Sequence, residues 1–161
     1  MPAFRFLLDM PILNHWDNVD LLRMSVQSCL TAVLRDVDGS ELIAIVTGEL
    51  VENAIKYGES VPAARTVTFS LEATSGEVRI RVANGSTNAH GVAELGRRVE
   101  EVRGAADKQA LYLARLEQLL AEADESGKLG IYRIGFEGGF DLECDYSNEV
   151  VTMTATRKSD V

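Results

Sequence analysis

Several things are scarce in this sequence. No stretch approaches the roughly 18–20 uninterrupted apolar residues that a spanning helix requires, so no membrane segment is expected. Cysteine is limited to Cys29 and Cys144, far apart and in no close-spaced motif. Two free thiols in a reducing compartment is the simpler reading, with a disulfide as the alternative. His15 and His90 are the only histidines and lack ligand spacing. Basic residues are outnumbered, 16 against 25 acidic, for a net charge of -9. That balance repels nucleic acid and anionic membranes, and no Lys/Arg cluster offsets it. The start, MPAFRFLLDMPILNHW, lacks the long apolar region and cleavage site of an export signal. A cytoplasmic protein is expected by elimination. No Pro/Gly/Ser-rich linker divides the chain, and 46% of its residues are hydrophobic. One domain over residues 1–161 is the expectation.

What is present alternates between helical and strand patterns. FRFLL near the start suits either an edge strand or a loop. From Asp17, apolar residues Leu22, Val26, Cys29, Leu30 and Val33 recur at helical intervals. DGS is expected to break that helix, with Asp38 and Glu41 forming a capping box for a second helix over about 40–57. Gly58 is placed to end it. RTVTFSLEA and EVRIRVANG alternate in period two around TSG, the pattern of a hairpin. Residues of about 92–123 return to helical spacing, weakened at Gly104. Val92, Leu95, Val99 and Val102 form one stripe; Leu113, Leu116 and Leu120 form another. LGIYRIGFEG suits helix or strand. GFDLECDY and EVVTMTATR alternate around SN, a second hairpin. This order suggests helices gathered on one face of an antiparallel sheet.

The second helix, ELIAIVTGELVENAIKYG, carries Glu49, Asn53 and Lys56 four and three residues apart, along one side. Leu42, Val46 and Leu50 flank them, so the stripe borders the core. Polar groups there need hydrogen bonds, a metal or a ligand. An ordinary solvated edge, with Glu49 paired to Lys56, is the plainer alternative.

ELVENAIKYG resembles the first nucleotide-binding box of the ATPase fold shared by sensor histidine kinases, heat-shock-90 chaperones, type II topoisomerases and MutL repair proteins. In size the chain is most similar to the small anti-sigma factor serine/threonine kinases. Glu49, Asn53, Ala54, Lys56 and Tyr57 follow the box. VRIRVANGS resembles the strand and turn of the adenine-reading box, GKLGIYRI the later glycine box, and the last two strands the closing hairpin. The resemblance implies a two-layer α/β sandwich, with helices on one face of a mixed, mostly antiparallel sheet.

It also implies a site. Asn53 would be the Mg²⁺ ligand, Glu49 the catalytic carboxylate, and Lys56 a counter-charge to the phosphates of ATP. The adenine box usually reads Asp-x-Gly-x-Gly. Here it falls on Ala83, Asn84, Gly85, Ser86 and Thr87, so an alanine stands where the Asp would accept the adenine amino group. Asn84, Gly85 and Ser86 remain as nucleotide-binding candidates, as do Gly127, Lys128 and Gly130 of the third box. In active relatives the 92–123 region is a glycine-rich lid; here it reads as solid helix, with Glu100, Glu101, Glu117, Glu122 and Glu125 making it acidic.

Two functions of different class follow from the resemblance. One is an ATP/Mg-binding regulator that phosphorylates a small protein or holds a regulatory partner, such as a sigma factor or an anti-sigma antagonist. The other is a degenerate, non-catalytic interaction module in bacterial signalling. A third reading is an unrelated α+β binding domain, since fold alone does not decide function. A homodimer is implied by the small kinases, which often pair.

Overall fold

The computed structural model describes residues 4–11, 17–122 and 129–158. His15, Glu125, Gly127 and Lys128 lie outside them. The order is β1 (Phe4–Pro11), α1 (Asp17–Leu34), α2 (Val37–Tyr57), β2 (Thr66–Ala73), β3 (Glu77–Gly85), α3 (Ala89–Gly104), α4 (Lys108–Glu122), α5 (Gly130–Glu137), β4 (Asp141–Ser147) and β5 (Val150–Lys158). Among the described residues no helix is long and apolar enough to cross a membrane.

The strands form one sheet in the order β1-β2-β3-β5-β4. All four pairings are antiparallel, and helices pack on the sheet as expected of a two-layer sandwich on a mostly antiparallel sheet. FRFLL resolves as an edge strand. Alternation decides which side chains turn toward the helices. Val67, Phe69 and Leu71 on β2, Val78, Ile80 and Val82 on β3, and Val151, Met153 and Ala155 on β5 are buried. Their neighbours in sequence, among them Thr68, Arg79 and Arg81, are exposed on the other face. The helices cover the first face, and Phe140, Leu142 and Ile134 close the core beneath α3 and α5. Cys144 is half-buried on the inner side of β4, against which α3 packs.

The start of α2 differs from expectation. Asp36, not Asp38, caps it, accepting a hydrogen bond from the Gly39 N–H at 3.0 Å. Arg35 takes a left-handed φ of 56°, which turns the chain early enough for Asp36 to reach the cap position. The DGS triplet therefore lies inside the helix, with Asp38 in the first turn, where the macrodipole favours an anion. Gly58 does end α2, in extended conformation. A Cβ there would collide with the Ala54 carbonyl and press on Asn84.

Two further differences concern the second half. The closing hairpin turns on Asn148 and Glu149, both with positive φ (53° and 61°), one residue later than the SN dipeptide suggests. Two residues of that kind make a type I′ turn, whose twist matches the strands it joins. In α4 the stripe is displaced: Leu113 and Leu120 are 46% and 73% exposed, and Leu111 and Tyr112 face the core instead. The ring of Tyr112 lies 5.5 Å from that of Phe136 on α5, which sets the helix's rotation.

Candidate functional site

The polar stripe of α2 meets the N-terminus of α5. A Cβ built at Gly130 would lie 2.6 Å from Glu49 Oε2 and 3.9 Å from Asn53 Nδ2. Only glycine allows this approach without displacing the Glu49 carboxylate. Glu49 and Asn53 are half-buried and Lys56 is exposed. The Lys56 ammonium lies 5.2 Å from the Tyr57 ring centroid.

Between α2, the inner face of β3 and β5, and α3 lies a cavity of about 580 Å³. Its floor is apolar, from Leu50, Val82, Val151 and Met153. Asn84, Ser86 and Asn88 stand together in sequence on one part of its wall; Asn53, Lys56 and Gly130 form another. That volume and mixture suit a small organic ligand held by a few polar groups. A second recess of about 340 Å³ is bordered by Glu49, Glu52, Tyr112 and Arg133. Asn53, Lys56 and Gly130 line both spaces, so they form a common wall.

The strand register places Ala83 and Asn84 on opposite faces of the sheet. Ala83 pairs with Thr68 and Thr152 on the outer face of the sheet and does not line the cavity. Asn84, the next residue, is 8% exposed, lines the cavity and packs against Gly58. Of the two residues, Asn84 is thus the one that faces the cavity, and the turn that follows reads Gly85-Ser86-Thr87-Asn88. Because successive strand residues face opposite sides, a shift of one moves the critical side chain through the sheet.

The turn itself is held from several directions. The Asn84 amide donates to the Gly85 carbonyl at 3.0 Å. The Tyr146 hydroxyl donates to the Ser86 carbonyl at 2.8 Å, and the Ser86 N–H to the Glu149 carbonyl at 2.8 Å. Glu59 Oε2 accepts from the Thr87 N–H at 2.5 Å and from its hydroxyl at 2.9 Å, which holds the Glu59 carboxyl below its usual range. Asn88 caps α3, accepting from the Gly91 N–H at 2.9 Å. Gly85 serves as backbone: the Glu59 N–H donates to its carbonyl at 2.8 Å, and it does not line the cavity.

Glu49 has a distinct electrostatic setting. Burial pushes its carboxyl pKa up, and the nearby Glu52 adds to the effect. Arg133, whose Nη1 lies 3.5 Å from Glu49 Oε1, opposes both. The same arginine donates from Nε to Glu137 at 2.6 Å. Among the described residues no group of three or more His, Cys, Asp or Glu side chains could hold a metal on its own. Asn53 would supply one amide oxygen. A single protein oxygen would suit a magnesium ion, which keeps several waters when bound.

Of the residues singled out from the sequence, Asn53, Lys56, Asn84, Ser86 and Gly130 line the cavity, and Glu49 lines the adjoining recess. Val92 and Leu95 of the α3 stripe line the cavity, and beside them His90, Gly91, Glu94 and Arg98, which the sequence reading did not bring to a site, line it too. A signal existed. Gly91 and Arg98 lie four before and three after Leu95 of the Val92, Leu95, Val99 and Val102 stripe, on the helix side next to it.

No family model matches the chain, and no curated protein matches it. Among solved structures it is similar to a chain in the crystal structure of the SiaB–SiaC complex from Pseudomonas aeruginosa. The two are 17% identical, with a TM-score of 0.73 over 94% of this chain and 88% of that one. At that identity the likeness speaks to fold, which is the histidine kinase-like ATPase fold.

Proposed function

We propose that this chain binds ATP with Mg²⁺ and is a regulatory protein of the anti-sigma kinase kind, transferring phosphate to a hydroxyl of a small protein partner. The observation that carries this reading is the pair of spaces sharing the wall of Asn53, Lys56 and Gly130. One is large and apolar-floored, suited to a nucleoside. The other is lined by the Glu49 carboxylate and adjoins the first along the residues assigned to phosphate and metal.

In this reading Asn84 takes the base by its side-chain amide, in place of an aspartate. Asn53 holds the magnesium ion, and Lys56 lies beside the phosphates. The ion, when bound with nucleotide, supplies neutralisation of phosphate charge. Glu49 accepts the proton of the incoming hydroxyl. A carboxylate with a raised pKa is a better proton acceptor than an ordinary one. Arg133 keeps Glu49 oriented and ionised. The partner is a regulatory protein such as a sigma factor or an anti-sigma antagonist, and the complex named in the solved relative supports a protein partner. The acting form is a homodimer in the cytoplasm.

Titration calorimetry with MgATP tests the reading. The protein binds, and Asn53→Ala abolishes binding. No heat at millimolar MgATP sinks it. The non-catalytic alternative has one observation in its favour: the segment that forms a glycine-rich lid in active relatives is here two ordered helices, tied by Arg115 to Glu101 at 2.9 Å. MgATP binding without phosphate transfer to any co-purified partner, unchanged in Glu49→Gln, favours that alternative.

A further inference from the structure

Helix α3 lies along the cavity and presents its residues to it in order. Asn88 caps the helix next to the Asn84–Ser86 turn. His90, Glu94, Leu95 and Arg98 then line the wall one after another. From residue 88 to residue 98 the axis advances about 15 Å at 1.5 Å per residue. Arg98 therefore stands well away from the turn assigned to the base, near Tyr132 of α5, with which it also lines a shallow recess.

The arginine is available there. Its side chain is 23% exposed, and its Nε lies 3.6 Å from Glu94 Oε1, a loose contact. Glu94 is held more closely by Arg97, at 2.6 Å to Nη2 and 3.2 Å to Nε. If Arg98 turns to a ligand, Glu94 keeps its principal partner. Guanidinium groups bind phosphate oxygens in a planar, two-pronged manner that an ammonium cannot copy.

We propose that Arg98 reads the terminal phosphate of the bound nucleotide and sets a preference for nucleoside triphosphate over diphosphate. This rests on the nucleotide reading above and adds to it a specificity residue outside the three sequence boxes. Glu94 is the competing carboxylate that Arg98 leaves when a third phosphate arrives.

The experiment is calorimetry with MgATP and MgADP on the full chain and three variants, at fixed salt. In Arg98→Gln, MgATP affinity falls about tenfold or more, while MgADP affinity changes less than about twofold. Arg98→Lys keeps part of the charge and recovers part of the ATP preference. Glu94→Gln strengthens MgATP binding, because the competitor is gone; this variant keeps the test open if Arg98→Gln folds poorly. Equal losses for both nucleotides, or none for either, overturn the assignment of Arg98. So does an unchanged or weakened MgATP affinity in Glu94→Gln. Wild-type protein that binds neither nucleotide overturns the nucleotide reading itself, and Arg98's role falls with it. Wild-type binding that Asn53→Ala abolishes and Arg98→Gln leaves untouched overturns only the present inference.

Discussion

Helices α2 and α4 are both several turns long, yet they are held in different ways. Eleven of the 21 residues of α2 are buried, and it packs on α1, α5 and the sheet. None of the 15 residues of α4 is buried. It is fastened by discrete contacts: Arg115 to Glu101 at 2.9 Å, the Arg115 guanidinium over the Tyr132 ring at 5.2 Å, Lys108 to Asp141 at 3.7 Å, and Tyr112 against Phe136. Burial of apolar area binds α2 to the global fold, whereas ion pairs at partly exposed positions are individually weak. The polar stripe assigned to chemistry sits on the helix that cannot move without unfolding the core. The helix beside the second recess is one that can shift at small cost.

This contrast can be broken or sharpened by substitution. The largest effect is expected at Ile43, 3% exposed on α2. Ile43→Ala should cost about 2–5 kcal/mol, read as a lower urea midpoint with every probe shifting together. A loss confined to one region would contradict the view of α2 as part of the global unit. Next is Gly135 on α5, where an added methyl would run into Val102 of α3. Gly135→Ala should cost about 1–3 kcal/mol by forcing the α3–α5 seam apart.

Arg115→Ala should cost roughly 1 kcal/mol or less, barely moving the melting temperature. Hydrogen exchange in α4 should nevertheless quicken while that of α2 stays slow. Equal protection of the two helices in the variant would remove the distinction between them. The smallest effect is at Glu49. Its carboxyl pKa is raised in the folded protein above the usual 4.5. The folded state thus holds that proton more tightly than the unfolded chain, and ionised Glu49 carries a penalty. The penalty is absent below pH 4.5 and complete once pH has risen past the folded value. Glu49→Gln should therefore raise stability slightly at neutral pH, by under about 1 kcal/mol, and the gain should vanish as pH falls toward 4.5. Destabilisation at neutral pH would mean that the pairing with Arg133 outweighs burial.

Much of the fold was legible because its signals are local. The two hairpins follow from period-two alternation, and α1 and α2 from apolar spacing, since each pattern reflects one face of one element. The stripe of Glu49, Asn53 and Lys56 was legible for the same reason. What escaped depended on neighbours distant in sequence. Which of Ala83 and Asn84 faces the cavity is decided by pairing to β2 and β5, and a one-residue shift exchanges cavity for solvent. The α4 stripe was misread because Leu residues are frequent all round that helix, and the Tyr112–Phe136 contact selects which side faces inward. Arg98 reads as an ordinary surface charge until α3 is laid along the cavity. The early start of α2 depends on a left-handed Arg35, which its residue type gives no reason to expect.

Cys144 turns the packing of α3 on β4 into something that can be timed. Its thiol is half-buried on the inner face of β4, and burial, followed by the neighbouring Asp145, pushes its pKa up. Alkylating reagents attack thiolates, so the folded protein should react slowly. Whenever α3 lifts from β4, the sulfur meets solvent and regains ordinary reactivity. The rate of its modification is thus a clock for opening on that side of the cavity, wound by the native sequence and readable by mass spectrometry without a label.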